Sequence, residues 1–352
     1  MFSKAPTRTN IDAALRDLAH PDPRVRAAAA GALDQSPLER REEVCSALRD
    51  ALDDGTGDVR YAAALSIREL GDAQAVPRLI DMLEDRDFMA RQAAVMALGS
   101  IGDPRAVLPL IQALKEGPPD VRFQAVTSLV ELEDPRALGA LLEALEDRDA
   151  EVRASAAAAV GDLMAHEGAD AVALLLKDPD PKVSLEAAYA LSRLGDDRGI
   201  ETLCRRASHR DFGFLACEAL GRLGNPQARV ALRRAWKGLF VHPLTRLRAA
   251  ASLLQLGETS PREFLIKQSR SRRSEVRGLA LELLGELGGA WALDSLLAGL
   301  KGRSPDAAAR GLGTLGDRSA VPALKKALAS AGSDPELSAD IEEALGRLES
   351  NA

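Results

Sequence analysis

The stretch GDPRAVLPLIQALKEGPPDVRFQAVTSLVELE, residues 102–133, decides the fold of this chain. Asp103 and Pro104 are typical of a helix start, because a carboxylate accepts hydrogen bonds from the free amides of a first turn and proline fits that turn. Apolar side chains then recur at the spacing of an amphipathic helix. They are Val107, Leu110, Ile111 and Leu114. The first half of the stretch therefore predicts one helix.

The second half predicts a second helix packed against the first. Gly117 and the two prolines after it interrupt the first helix, and we expect Asp120 to cap the next one. A second apolar stripe follows, formed by Val121, Ala125, Leu129 and Leu132. One such hairpin is too small to bury its own stripes, whereas stacked hairpins bury a continuous core.

Two short markers indicate that this hairpin is repeated along the chain. The dipeptide Val-Arg lies at the start of each second helix. Leu-Gly or Ile-Gly lies at its end, where glycine tolerates a positive φ. From residue 59 the first marker recurs every 31 residues as far as residue 183. Its copies, three of them degenerate, are Val25-Arg26, Val59-Arg60, Ala90-Arg91, Val121-Arg122, Val152-Arg153, Val183-Ser184, Leu247-Arg248 and Val276-Arg277.

These repeats predict an all-α fold, an α-solenoid of about eleven helical hairpins with a period of about 31 residues. We expect residues 11–352 to form a single continuous solenoid and residues 1–10 to be frayed. Aromatic residues make up only 3% of the chain, so alanine, leucine and valine must build the core, and these favour close helix packing.

Composition excludes several classes of protein. No apolar run approaches the length of a membrane span, and the N-terminus MFSKAPTRTN lacks the apolar core of a secretory signal. Three cysteines, Cys45, Cys204 and Cys217, are too few for a disulfide framework. We therefore expect a protein of a reducing compartment, the cytoplasm.

The segments GDPRAVLPLIQAL and PDVRFQAVTSLVEL resemble the short HEAT-like repeat of the bacterial type, which is also found in phycobilin lyases. The resemblance covers nearly the whole chain. It implies a solenoid fold, but it leaves the function open, because the same fold hosts scaffolds, lyases and enzymes.

The arginines of the Val-Arg marker recur together with aspartates just before the second helices. We expect these aspartates to cap helices and to tie neighbouring repeats to the arginines, rather than to bind anions. The aspartates are Asp22, Asp87, Asp120, Asp149 and Asp180.

Charge departs from this regular pattern in one segment. The whole chain carries a net charge of −7, but residues 203–277 carry 16 basic and 5 acidic residues, a local net charge of +11. In repeats seven to nine the turns between first and second helices are predicted to be basic, whereas the earlier turns are acidic. Ordinary surfaces intersperse the two signs, so we interpret the segment as a binding surface.

Aromatic residues concentrate in the same segment. The stretch WKGLFVHPLTR, residues 236–246, contains an unusually long turn in which Phe240 and Trp236 either fold back over a hairpin end or form a partner-binding knob. Tryptophan and arginine together are typical of interface hot spots. The predicted partner-binding residues are Arg205, Arg206, Arg210, Arg233, Arg234, Trp236, Lys237, Phe240, Arg246, Lys267, Arg270, Arg272 and Arg273.

Three kinds of ligand fit such a surface. We expect a protein partner with an acidic or phosphorylated surface, bound by a non-enzymatic scaffold or adaptor. The alternative is a nucleic acid bound by the same residues. The acidic edge of repeats two to six and the basic edge of repeats seven to nine also allow a homodimer.

Catalytic and metal sites have weak support. Cys204, His209, Cys217 and His242 match no zinc spacing. A single His-Glu pair, His166-Glu167, cannot supply the ligands of a di-iron hydroxylase of HEAT-like fold. We predict no metal and no cofactor, and a lyase or chaperone acting on a bound chromophore or protein remains the enzymatic alternative.

Overall fold

A computed structural model describes residues 8–34, 36–332 and 334–350. Those residues form 22 α-helices, joined by turns and short 3-10 segments, and contain no strand. Consecutive helices pair into eleven hairpins, which confirms the predicted all-α solenoid. The first helix begins at Arg8, within the segment expected to be frayed, and residues 1–7 lie outside the described part.

The helices fall into two compact units, one ending at Ala190 and the other beginning at Leu191. The first unit contains α1 Arg8–Asp17, α2 Pro23–Gly31, α3 Arg41–Ala51, α4 Gly57–Leu70, α5 Val76–Asp81, α6 Phe88–Ile101, α7 Val107–Glu116, α8 Pro119–Glu131, α9 Leu138–Glu143, α10 Ala150–Asp162, α11 Ala169–Leu174 and most of α12 Pro181–Arg193. The second contains α13 Ile200–Arg206, α14 Gly213–Leu223, α15 Ala228–Lys237, α16 Pro243–Gln255, α17 Arg262–Gln268, α18 Ser274–Leu287, α19 Ala290–Leu300, α20 Pro305–Leu315, α21 Val321–Ser330 and α22 Pro335–Ser350. The single continuous solenoid over residues 11–352 stays a prediction.

The starts of the helices follow the predicted signals with one exception. The Asp103 carboxylate accepts a hydrogen bond from the Arg105 amide at 2.9 Å, and a 3-10 turn then leads into α7. Asp120 does not cap α8, as the sequence suggested, because Pro119 already begins that helix and places Asp120 inside its first turn. There its carboxylate still faces the positive end of the helix dipole.

Glycine ends many of the second helices in the left-handed conformation. Gly102 closes α6 with φ 75°, and six other glycines of the Leu-Gly marker also have positive φ. Where α8 and α10 end without the glycine, Glu133 and Met164 take the same conformation with φ 49° and 51°. The prediction for this marker is therefore confirmed, except that Gly346 lies inside α22.

Small residues allow the second helices to pack closely. Ala93, Ala94 and Ala97 of α6 are fully buried, and a β-carbon on Gly99 would lie 2.6 Å from the Ser128 β-carbon of α8. Leucines from the first helices fill the remaining space, as Leu110 does. Such close packing explains how a core forms with so few aromatic side chains.

Ion pairs connect consecutive repeats of the first unit. The Arg122 guanidinium donates to both oxygens of Asp147 at 2.7 Å and, through Nη1, to the Gly117 carbonyl at 2.9 Å. We call this series of pairs the Arg-Asp ladder. Its members are Arg26–Asp54, Arg60–Asp85, Arg122–Asp147 and Arg153–Asp178.

The ladder aspartates are not those that the sequence suggested. Asp149 caps α10 through the Glu151 amide, as expected, but the partner of Arg122 is Asp147, two residues earlier. The Asp147 carboxylate also accepts a hydrogen bond from the Asp149 amide at 2.7 Å. One aspartate therefore closes the turn and ties the repeats, while the next one caps the helix. The acid positions 54, 85, 147 and 178 keep the 31-residue period.

We expect the ladder to make stability depend on pH in the acid range. Hydrogen bonds from Arg153 hold the pKa of Asp178 below its usual value, and those from Arg26 do the same for Asp54. A carboxyl with a lowered folded pKa stabilises the protein above its unfolded pKa of about 4, and this contribution is lost as pH falls through the folded pKa. Urea unfolding between pH 6 and pH 2 should therefore show a steep loss of stability. The loss should be shallower in Asp178→Asn, and an identical slope in that variant would contradict this origin.

Candidate partner-binding surface

The acid side of the ladder is missing from the second unit. Continuing the period from Asp178 leads to His209, Phe240, Ser271 and Gly302, none of which carries a carboxylate. His209 keeps the turn geometry, since its Nδ1 accepts from the Asp211 amide at 3.2 Å. The loss of these acids contributes to the positive charge of residues 203–277.

The arginine side of the ladder continues, but in a different register from the predicted one. The Arg246 amide donates to the His242 carbonyl at 3.0 Å, as the Arg122 amide does to Pro118, so the repeat marker here is Thr245-Arg246. The proposed copy Leu247-Arg248 is wrong by two residues. Thr245 is 1% exposed and has the shape of valine, so it fills the valine position of the Val-Arg marker. A search for valine alone does not find this copy.

Arg246 has a structural position within its repeat. Its Nε donates to the Trp236 carbonyl at 2.9 Å, and its guanidinium lies 5.4 Å from the centre of the Phe264 ring. The guanidinium of Arg246 on α16 therefore connects to the end of α15 and stabilises the turn between these two helices.

The basic residues do not all lie in turns, as the sequence suggested. Arg210 lies in the α13–α14 turn, and Arg270, Arg272 and Arg273 lie in the α17–α18 turn. Six other members lie in the C-terminal halves of the first helices α13, α15 and α17, with Arg233 just before the last turn of α15. These members are Arg205, Arg206, Arg233, Arg234, Lys237 and Lys267.

Most of these basic side chains are exposed. Arg233 forms an ion pair with Glu258 at 2.8 Å. Arg206 lies 6.0 Å from the Phe212 ring centre, and Lys237 lies 5.4 Å from that of Trp236. Within the described residues, no ion pair is formed by Arg205, Arg210, Arg234, Lys237, Lys267, Arg270, Arg272 or Arg273. Their charges therefore remain available to a ligand.

The two aromatic residues of the long turn behave differently. Trp236 folds back against the core of the second unit and meets Phe264 edge to face at 6.2 Å. Phe240 is fully exposed and Leu239 is 86% exposed. The fold-back interpretation is therefore right for Trp236 and wrong for Phe240. Leu239 is not among the predicted partner-binding residues, but it precedes Phe240 as a second exposed apolar side chain.

Cysteine and histidine do not form a metal centre in the described part of the chain. Cys217 is fully buried, and burial raises the pKa of its thiol to about 12. Its Sγ lies 3.3 Å from the Ala207 carbonyl oxygen, a contact of the core. None of the described helices combines the length and apolar character that crossing a bilayer requires.

Two protein-family models match parts of this chain. The HEAT repeats model matches residues 4–68, 46–115, 107–176 and 169–238. The chain belongs to the HEAT repeat family. Residues 306–330 of this HEAT protein also match the PBS lyase HEAT-like repeat, which confirms the resemblance drawn from the sequence. A search of curated proteins finds no match.

Several solved structures match this HEAT protein. Importin beta is 12% identical with a TM-score of 0.56, over 96% of this chain and 57% of that one. The Escherichia coli protein YibA is 17% identical with a TM-score of 0.51, over 74% of this chain and 100% of that one. The complex of CpcE and CpcF of phycocyanin lyase from Nostoc is 22% identical with a TM-score of 0.36, over 80% and 98%. At these identities the likeness concerns the fold alone.

Proposed function

We propose that this HEAT protein is a non-enzymatic scaffold that binds a protein partner through repeats seven to nine. The exposed pair Leu239 and Phe240 carries the proposal. Phe240 occupies the register position at which the first unit has a ladder carboxylate, and its side chain is fully exposed. Isolated exposed apolar side chains are common, but two adjacent ones that directly follow a helix end with exposed cations favour an interface.

The chemistry of the surroundings favours an acidic or phosphorylated partner. Arg234 and Lys237 lie on the last turn of α15, next to the exposed pair, and neither forms an ion pair. Cations at a rim steer an acidic partner and raise its rate of association, while apolar side chains at the centre slow its dissociation. Acidic residues of the partner would replace the missing ladder acids.

A nucleic acid is the second candidate, favoured by the local charge of +11 over residues 203–277. Residues 1–202 carry a net charge of −14 and would repel a polyanion. A lyase or chaperone role is favoured by the PBS lyase HEAT-like repeat at residues 306–330. We infer a cytoplasmic, bacterial protein from the cysteine usage and the repeat type. A homodimer through the acidic and basic edges is a further outcome to test.

We expect partner binding to depend on the exposed pair. Nuclease-treated lysate of the source cell should yield a defined partner with the wild-type protein, and the double variant Leu239→Ser/Phe240→Ser should lose it. Both side chains are exposed, so the variant should keep its helical circular dichroism and its melting temperature. Charge reversal at Arg234 and Lys237 should lower the association rate more at low salt than at high salt.

Two matched controls test whether the loss of an exposed apolar side chain or the reversal of an exposed charge elsewhere has the same effect on binding. Leu174 is 74% exposed on α11, and Leu174→Ser removes an apolar side chain from the other unit. Lys301→Glu reverses an exposed charge outside the proposed residues. If the Leu239/Phe240 variant keeps the whole set of recovered partners, the surface is wrong. Loss of all binding after nuclease treatment would favour a nucleic acid, and doubling of the mass in light scattering would favour the homodimer.

A further inference from the structure

Among the residues that the structure describes, the ladder arginine Arg277 has no carboxylate partner. Its Nη1 donates to the Ser271 carbonyl at 2.7 Å, as the Arg60 Nη1 donates to Asp54. The period places Gly302 where the first unit has an aspartate. The remaining edge of the guanidinium instead meets the Ser304 hydroxyl oxygen at 2.8 Å and the Arg303 carbonyl at 3.3 Å. Arg277 is only 8% exposed, so this cation is buried without a counter-charge.

A cavity lies next to this guanidinium. It has a volume of about 310 Å³, and its lining includes Arg270, Arg277 and Arg303 but no aspartate or glutamate. Arg270 and Arg303 are exposed and form no ion pair within the described residues. The buried charge of Arg277 has no anion beside it, and the two exposed arginines add positive charge at the same cavity, so the cavity favours an anion.

Two hydroxyl groups and one helix end complete the cavity. The Ser304 oxygen accepts from Arg277, and the Ser271 oxygen accepts from the Arg273 amide at 3.3 Å, so both O–H groups are free to donate. Ser304 is also the residue before α20, and its side chain makes no capping bond with that helix. The positive end of an eleven-residue helix therefore adds to the charge of the arginines.

We propose that this cavity binds the phosphoryl group of a phosphorylated serine or threonine in the partner protein. The inference rests on the proposed scaffold function and names the chemical group that the partner presents. A phosphoryl group carries a charge of about −1.5 to −2 at pH 7 and three acceptor oxygens, which match three arginines and two hydroxyl donors. On binding, Nε and Nη2 of Arg277 would turn from Ser304 and Arg303 to the phosphoryl oxygens, the bidentate contact that Arg122 makes with Asp147.

A carboxylate and a nucleic acid fit less well. In the ladder, one carboxylate satisfies one arginine, as Asp147 does for Arg122, so a single carboxylate leaves two of the three cations here uncompensated. Nucleic acids require a series of phosphate sites and a broadly basic surface, whereas this chain has a net charge of −7.

Titration with O-phosphoserine, monitored by NMR of the arginine Nε–H groups in the full chain, tests the proposal. We expect saturable shifts of the Arg277 signal, and binding at least about tenfold weaker for aspartate, which lacks the second charge. Inorganic phosphate should compete with O-phosphoserine. Arg270→Glu/Arg303→Glu should abolish binding. Lys325→Glu/Lys326→Glu makes the same charge change at two exposed residues outside the cavity and outside the proposed partner-binding residues, and should retain most of it.

A second pair of variants tests the buried part of the cavity. Ser304→Asp places a carboxylate beside Arg277 and should weaken O-phosphoserine binding by at least about tenfold while raising the melting temperature. Ser304→Asn has nearly the same volume without the charge and should bind far more tightly than Ser304→Asp. Since Ser304→Asp is expected to gain stability, its loss of binding cannot be due to unfolding.

Three outcomes would overturn the proposal. They are unchanged Arg277 signals at millimolar O-phosphoserine, equal affinity for O-phosphoserine and aspartate, and equal loss of binding in the Lys325/Lys326 variant. Binding of a single-stranded oligonucleotide that is tighter than that of O-phosphoserine and is lost in Arg270→Glu/Arg303→Glu would replace the phosphoprotein by a nucleic acid. A partner that needs Leu239 and Phe240 but binds equally after phosphatase treatment would leave the scaffold function intact and refute the phosphoryl site.

Discussion

Replacing Arg122 with methionine should lower the free energy of unfolding by about 3–5 kcal/mol, the usual cost of breaking a buried ion pair on one side. Arg122 is 2% exposed, and its side chain makes two hydrogen bonds to Asp147 and one to the Gly117 carbonyl. Methionine fills much of the volume but leaves the Asp147 carboxylate and the carbonyl without these donors. Urea unfolding at pH 7 measures the loss.

Two further variants test whether the loss of stability comes from the unpaired carboxylate of Asp147. The double variant Arg122→Met/Asp147→Leu removes both charges and should recover a large part of the stability, because the orphaned carboxylate is gone. Arg105→Met breaks an exposed pair with Asp103 and should change stability little, since Arg105 is 56% exposed. If Arg122→Met and Arg105→Met are equally mild, the ladder does not hold the repeats together.

Gly285→Ala should destabilise the second unit by about 1–3 kcal/mol, because it overpacks two helices in contact. A β-carbon on Gly285 of α18 would lie 2.8 Å from the Gly311 α-carbon of α20, so backbone must move to admit it. Both residues are buried and neither helix can retreat without opening the core around Leu281 and Leu312. Thermal unfolding followed by circular dichroism measures the change.

The matched control lies in the same helix. A β-carbon on Gly278 would meet only the Ala307 β-carbon at 3.9 Å, an ordinary contact. Gly278→Ala should therefore stabilise the protein by about 0.5–1 kcal/mol, through the better helix propensity of alanine. A loss of stability in both variants would mean that helix approach is not what selects glycine at 285.

Most of the architecture could be predicted from the sequence because each signal is local. The Asp103 cap and the glycine at 102 each act over a few residues, and such signals recur with a 31-residue period. Together they predict eleven hairpins with nearly correct ends. Asp120 was assigned wrongly for a local reason too, since both Pro119 and a Val121 capped by Asp120 are typical helix starts.

The ladder could be predicted only in part. A carboxylate two residues before the helix cap looks like one more turn residue, and only the geometry shows that Asp147 receives Arg122 from the preceding repeat. The copy of the marker at Thr245-Arg246 was missed because threonine stands where most other copies have valine. Once the register is fixed by hydrogen bonds, the same period identifies position 302 as the one where the acid partner of Arg277 is replaced by glycine.

The sequence by itself determined the fold class, the number of hairpins and the location of the positive charge, because helix caps, apolar periodicity and residue counts need no knowledge of distant contacts. Tertiary structure alone decided which charges remain free for a ligand. Trp236 and Arg246 are held within their repeat, whereas Phe240 is exposed and Arg277 is buried beside an acid-free cavity. Burial and pairing depend on neighbours about 25 residues away, and these meet only when the repeats stack.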